Sequence, residues 1–237
     1  MPTLNSISVD KLARLIGLAS TPTIIDVRTD EAFAADPRLI PGAIRRPAEN
    51  VADWASDFRE QSVVAVCREG NKLSHGVAAW LRQAGADAEA LDGGAVGWAS
   101  AELPMVPDAS LPKRDGKGRT VWVTRARPKI DRIACPWLIR RFVDPQAQFL
   151  FVPPSEVTGV AERFGATPFD VEGDGITWSH DGERCTFDVM LDGFGLSAVA
   201  PLAHLAVIVR GADTARPDIV PEAAGLVALS LGLSRMF

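Results

Sequence analysis

The sequence predicts an α/β fold in two parts: a parallel sheet flanked by helices, then a second, α-rich domain of α/β or α+β type. Three observations carry that expectation. Short apolar runs of strand character alternate with helical stretches through the first part of the chain. The tract "PMVPDASLPKRDGKGR" then brings three prolines, two glycines and six charges with no hydrophobic periodicity. Beyond it, two long apolar helical segments close the chain. The expected domains are therefore residues 1–106 and 119–237, joined by a linker over 107–118.

Each element has its own signal. Residues 5–18 read as a helix capped near Ser8 or Asp10, with Leu12, Leu15 and Ile16 on one face. "TIIDVR" and "SVVAV" are short apolar strands, and Asp26 with Arg28 is expected to brace neighbouring loops as an ion pair. "DEAFAADPRLIPGAI" is a helical turn and a loop broken by Pro37, Pro41 and Gly42. "LSHGVAAWLRQAG" is a helix ending at Gly85, its inner face expected at Leu73, Val77, Trp80 and Leu81. "AEALDGGAVGW" supplies a last strand and turn. After the linker come a strand, "TVWVTRA", a largely helical "DRIACPWLIRRFV", a strand, "QFLFVP", and a helix, "SEVTGVAERFG", with Ser155 as N-cap and Gly165 as terminator. "ITWSHDGERCTFDVML" reads as a hairpin around Asp181-Gly182 running into a helix. "SAVAPLAHLAVIVRGA" and "PEAAGLVALSLGLSRMF" are the closing helices.

Composition narrows the function classes. No basic and apolar leader opens the sequence and no run is long enough to span a bilayer, so the expected location is the cytoplasm, with no membrane partner. Cys67, Cys135 and Cys185 are too far apart for a zinc ribbon or a disulfide framework, and are expected as free thiols. Net charge is −5, but Lys113 to Arg141 holds ten Lys or Arg against two Asp. That stretch suits an anionic partner, while the acidic remainder and the lack of a reader motif argue against nucleic acid.

"VVAVCREGNKLS" places Cys67 at a strand end, with Arg68, Glu69, Gly70, Asn71 and Lys72 forming the loop before a helix. Amides of such a loop converge on its centre and the helix start adds positive potential, so a thiolate or a persulfide anion is stabilised there. Gly70 lets the backbone turn with positive φ. These residues, with "IIDVR", "IPGAI" and "LDGGAVGW", resemble the rhodanese family over roughly residues 8–105. The resemblance implies a rhodanese-like sheet flanked by helices and a sulfurtransferase in which Cys67 takes sulfur from a donor such as thiosulfate and passes it to a thiol acceptor. No cofactor is required. Related phosphatases carry a longer loop closed by Arg, where this chain has Leu73. Arg38 and Leu39 stand where the family often has Gly-His, and Lys72 replaces the commoner Arg, whose bidentate grip on an oxyanion an ammonium lacks.

In "TRARPKIDRIACPWLIRRFVDP", Pro136 requires either a kinked helix or a helix that starts there with Cys135 at its N-cap. In the second case the Cys135 pKa is depressed, and with Arg125, Arg127, Lys129 and Arg132 it forms a candidate oxyanion or soft-metal site. The other arrangement packs Cys135 inward with Ile133, Leu138, Ile139 and Phe142. With Asp181-Gly182 as a two-residue turn, His180 pairs with Glu183 and Trp178 with Cys185 on one face, making His180, Glu183 and Cys185 candidate ligands for a divalent metal. Asp188, His204 and Asp213 join them if the later helices fold over that face. These stretches, with "FLFVPPSEV", "GATPFDV" and "VRGADTARPDIVPEAAGLVALSLGLSR", resemble the ChrB C-terminal domain over about residues 119–236. That resemblance implies a link to chromate resistance, with chromate or another oxyanion as partner. The alternative it raises is a chromate, metal or redox sensor whose first domain does not turn over.

Overall fold

The structure, a computed structural model, describes residues 5–233. Residues up to Ala109 form one compact unit; those from Ser110 to Arg140 and from Asp144 onward form a second.

The first unit opens with β1 (Ser6–Ile7) and α1 (Val9–Leu15), whose N-cap Ser8 accepts a hydrogen bond from the Lys11 amide at 3.3 Å. Then follow β2 (Thr23–Asp26), α2 (Asp30–Ala35), β3 (Arg38–Leu39), β4 (Ile44–Arg45), α3 (Val51–Trp54), β5 (Ser62–Val66), α4 (Lys72–Gln83), β6 (Asp87–Leu91), α5 (Gly94–Ser100) and β7 (Val106–Pro107). The main sheet is parallel throughout, in the order β1-β6-β5-β2-β4, while β3 and β7 make a separate antiparallel pair. Nearly every residue of β2 and β5 is buried, as strands covered on both faces must be. Val63 and Ala65 of β5 pack with Ile25, Trp54, Phe58, Val77 and Leu81 in one core.

Within this unit the Asp26–Arg28 pair is the expected brace. Both residues are buried, and Arg28 donates to Asp26 carboxylate oxygens and to the carbonyls of Asp36 at 2.9 Å and Arg38 at 2.7 Å. The inner face of α4 differs from the expected one. Ser74, Val77, Ala78 and Leu81 are buried, whereas Leu73 and Trp80 face outward. Small side chains at positions 74 and 78, one turn apart, let the helix lie close to the sheet.

The second unit contains β8 (Val121–Arg125), α6 (Asp131–Phe142), β9 (Gln148–Val152), α7 (Val157–Phe164), β10 (Thr167–Pro168), α8 (Thr186–Gly193), α9 (Ala200–Asp213) and α10 (Pro221–Leu233). Its sheet is parallel, ordered β10-β8-β9, and the rest is helical. Trp122 of β8 meets Phe169 and Phe194 edge-on, and Trp178 stacks on Phe194 at 4.7 Å, giving an aromatic core.

One local expectation is corrected. A single 3₁₀ turn, Pro154–Glu156, precedes α7, so Glu156 and not Ser155 is the N-cap; Gly165 does terminate the helix, with φ +60°. The tract after Pro107 is partly ordered: Asp115 accepts amide hydrogen bonds from Lys117 and Arg119 at 2.8 and 2.9 Å. The final residues of the predicted last helix, 234–237, lie outside the described residues. Among the described residues no helix is long and apolar enough to cross a membrane.

Candidate functional site

Chain connectivity places Cys67 before any side chain is considered. β2 and β5 are neighbours, but the connection leaving β2 runs outward to β4 while that leaving β5 runs the other way to β6. Diverging connections open a crevice at the carboxyl ends of the two strands. Cys67 follows β5 directly, and a cleft of about 740 Å³ there is lined by Thr29 and Ala32 on the β2 side and by Cys67, Arg68, Asn71, Lys72 and His75 on the other.

The loop is locked from behind by α5. Ala95 and Val96, in the first turn of that helix, donate their amides to the carbonyls of Cys67 and Arg68, both at 2.9 Å. With those carbonyls turned away, the loop amides are left to face the sulfur. Gly70 has φ +70°, and a Cβ there would lie 2.4 Å from the Leu91 carbonyl oxygen and 2.6 Å from the Gly93 nitrogen. Only glycine permits both the turn and the close approach. Gly94, at φ +57°, meets the Cys67 carbonyl oxygen in the same way from the other side.

Cys67 Sγ lies 3.1 Å from the Ser74 hydroxyl, which also donates to the Asn71 carbonyl at 3.1 Å. That hydroxyl has one proton. It serves the carbonyl while the thiol is neutral and turns to the sulfur when the thiol ionises. Burial of Cys67 pushes its pKa up, but hydrogen bonds from the Ser74 hydroxyl and from the amides of Ser74, Asn71 and Glu69 outweigh burial and bring it below the ordinary thiol value. Arg68 and Glu69 are exposed at the rim, 3.6 Å apart, and Lys72 is exposed at the first position of α4. Of the expected loop residues, Cys67, Arg68, Glu69, Asn71 and Lys72 line the cleft, while Gly70 is buried behind it. Ser74 was not among them; its signal was a polar residue on the face of α4 shared with Val77, Ala78 and Leu81.

The second unit gathers a different cluster. Asp131, Asp170, His180 and Asp213 each present a ligand atom, all within 4.8 Å of one another. His180 Nε2 is 3.0 Å from Asp213, 3.5 Å from Asp170 and 3.6 Å from Asp131. Arg125 and Arg132 both approach Asp170, at 3.1 and 3.2 Å. Burial, then the neighbouring Asp213 and Asp170 charges, pushes the Asp131 carboxyl up to about 8, and burial followed by Asp170 raises that of Asp213.

Comparison with known proteins assigns both units. Residues 8–101 match the rhodanese-like domain, and residues 122–237 match the C-terminal domain of ChrB. The chain is thus similar to a rhodanese-like domain over its first unit and to a ChrB C-terminal domain over its second. Protein ChrB of Cupriavidus metallidurans is 37% identical over 129 residues, 52% of this chain and 36% of that protein, so the chain spans about a third of its curated relative. A rhodanese-like domain protein of Staphylococcus aureus is 34% identical, over 40% of this chain and 91% of that one, with a TM-score of 0.35. A rhodanese-related protein of Thermoplasma volcanium is 23% identical, over 43% of this chain and 97% of that one, with a TM-score of 0.37.

Within the ChrB C-terminal domain the sequence-predicted residues separate. Cys135 is buried inside α6, which runs through Pro136 and does not start there, so burial drives its thiol well up where an N-cap position would have lowered it. Arg125, Lys129 and Arg132 line a pocket of about 400 Å³ beside His180, while Arg127 is exposed outside it, with φ +58°. The turn of the hairpin is shifted by one residue, because Asp181 pairs with Arg184 around Gly182-Glu183. Glu183 therefore lies in the turn itself, not opposite His180, and pairs with Arg216 at 3.0 Å. Cys185 is buried as the N-cap of α8, and burial with Asp131 raises its thiol. Of the later residues, Asp213 reaches His180, Asp188 pairs instead with Arg210 at 3.1 Å, and His204 is exposed on α9.

Proposed function

We propose that the rhodanese-like domain is a sulfurtransferase that carries sulfur as a persulfide on Cys67, in a protein whose second domain ties this chemistry to chromate resistance. The observation that carries the reading is the Cys67 sulfur itself, which lies at the switch-point cleft within hydrogen-bond reach of the Ser74 hydroxyl and the loop amides. Those donors favour the negative state of sulfur in both halves of the cycle.

In the first half, the Cys67 thiolate attacks the outer sulfur of a donor such as thiosulfate. The donor's sulfur–sulfur bond breaks, and sulfite leaves with the bonding pair. The new terminal sulfur carries the negative charge, facing the amide ring. In the second half an acceptor thiolate attacks that terminal sulfur, and Cys67 leaves as the restored thiolate. Arg68 and Lys72 at the rim attract the anionic donor, and no cofactor enters either step. Leu73 stands where a phosphatase loop closes on Arg, which disfavours phosphoryl chemistry. The cysteines are free thiols, which suits a reducing cytoplasm.

For the second domain the support is its match to the ChrB C-terminal domain, together with the Arg125, Lys129 and Arg132 pocket as a place for an oxyanion. Chromate, like sulfate, is a tetrahedral dianion, so an enzyme of sulfur metabolism and a chromate-linked domain share an anion chemistry. The sulfur reading is tested by exposing the protein to thiosulfate, and separately to glutathione persulfide, removing the donor and measuring intact mass. The expected result is a gain of one sulfur atom that is absent in Cys67→Ser. No gain with either donor, or a gain that survives in Cys67→Ser, refutes it.

A further inference from the structure

The second unit holds a cluster to which the proposed sulfur transfer gives no role, and its composition calls for a cation. Three carboxylates and one imidazole converge from three parts of the chain, Asp131 from the start of α6, Asp213 from the end of α9, and Asp170 and His180 from the segment between β10 and α8. Arg125 and Arg132 are both spent on Asp170, so His180 is the only basic group within ion-pair distance of Asp131 among the described residues.

Convergent acids alone do not make a site, and Asp131 supplies the second observation. Its side chain has no exposed surface, and its Oδ1 has no hydrogen-bond partner. Its Oδ2 accepts the amides of Thr186 and Phe187 at 2.6 and 3.4 Å, from the first turn of α8, and lies 3.6 Å from His180 Nε2. The carboxylate is thereby pinned facing the cluster with one oxygen left over. A buried, unpartnered carboxylate oxygen is strongly unfavourable unless a positive charge meets it or a proton neutralises it.

We propose that Asp131, Asp170, His180 and Asp213 bind one divalent metal ion of the oxygen-preferring first-row class, Mn²⁺ or Fe²⁺. Bonds of about 2.1 Å put opposite ligands of an octahedral ion about 4.2 Å apart, so the 4.8 Å spread needs only a small contraction. Supporting contacts orient the ligands: the Thr186 hydroxyl donates to Asp170 Oδ1 at 3.2 Å, and the Asp131 amide donates to Asp213 Oδ1 at 3.4 Å. Access is through His180, whose side chain is 40% exposed and borders the 400 Å³ pocket with Asp170 and Asp213. Lys129 also lines that pocket and is at hand for an anion there.

The test is a titration of the full-length, chelator-treated protein with Mn²⁺ alone, following the electron paramagnetic resonance signal of the free ion. One saturable ion per chain is expected, and Asp213→Asn or His180→Gln is expected to weaken binding by about tenfold or more with an unchanged circular dichroism spectrum. Glu183→Gln and Cys67→Ser bind as wild type. Absence of saturable binding, or affinity unchanged in both ligand variants, overturns the proposal. Should those variants fail to fold, electron spin echo modulation of Mn²⁺ on the wild-type protein decides: coupling to an imidazole nitrogen is expected, and its absence overturns the ligand set.

Discussion

Removing the Ser74 hydroxyl isolates one donor of the Cys67 cradle without altering the fold around it. Ser74→Ala deletes the group 3.1 Å from Sγ and leaves the amides of Glu69, Asn71 and Ser74 in place. A hydrogen bond to a charged group contributes roughly 1.5–3 kcal/mol, and about 1.4 kcal/mol is tenfold in an equilibrium. Because three amides remain, the lower end applies, and the thiolate fraction at a fixed pH on the acidic side falls about tenfold. The assay is the rate of alkylation by iodoacetamide as a function of pH, with the modified residue located by mass spectrometry. Cys135 and Cys185 are buried and their thiols are held protonated, so the native signal belongs to Cys67. Wild-type rates are expected to level off at a pH below that of an ordinary thiol, and the Ser74→Ala profile to move to higher pH. Superimposable profiles would refute the role given to Ser74.

Four further outcomes follow from the same contacts. Gly70→Ala forces a side chain into φ +70° and against the Leu91 carbonyl oxygen; left-handed backbone and overpacking together predict a loss of about 2–5 kcal/mol in urea denaturation. Gly76→Ala, on α4 with open space at its Cβ, is expected to gain about 0.5–1 kcal/mol instead. Arg28→Ala strands buried Asp26 and is expected to cost about 3–5 kcal/mol by the same measurement. The lowered Cys67 pKa adds stability that is fully present above the ordinary thiol value and lost as pH falls through the folded-state value. The difference in unfolding free energy between wild type and Cys67→Ser, measured across that window, should therefore grow in favour of wild type as pH rises.

How far the sequence revealed the site depended on how far apart the residues lie in it. The Cys67 cradle was legible because strand end, glycine turn and helix start are contiguous, and local backbone rules suffice to aim the amides. Ser74 lies in the same stretch but carries no such signal, since apolar size alone points the inner stripe of α4 to Leu73, Val77, Trp80 and Leu81. Close approach to the sheet favours small residues, which rotates the buried face and leaves Trp80 outside. The second cluster is the opposite case. Asp131 and Asp170 are joined to it only by tertiary packing, and nothing local marks them. His180 is legible as a candidate ligand and Asp213 as one that joins it once α9 folds over, but the expected turn is one residue out, which sets Glu183 opposite His180 where the structure does not. Pro136 shows a similar limit: the sequence leaves open a helix that starts there and one that runs through it, and only the structure selects the second, in which Cys135 is buried and its thiol is driven up.

The most direct measurement of the central claim is the ultraviolet absorbance of the thiolate, recorded against pH as the difference between wild type and Cys67→Ser. Inflection below the ordinary thiol value is the predicted result. Inflection at or above it would mean that burial outweighs the ring of donors, and Cys67 could not serve as a ready sulfur nucleophile near neutral pH.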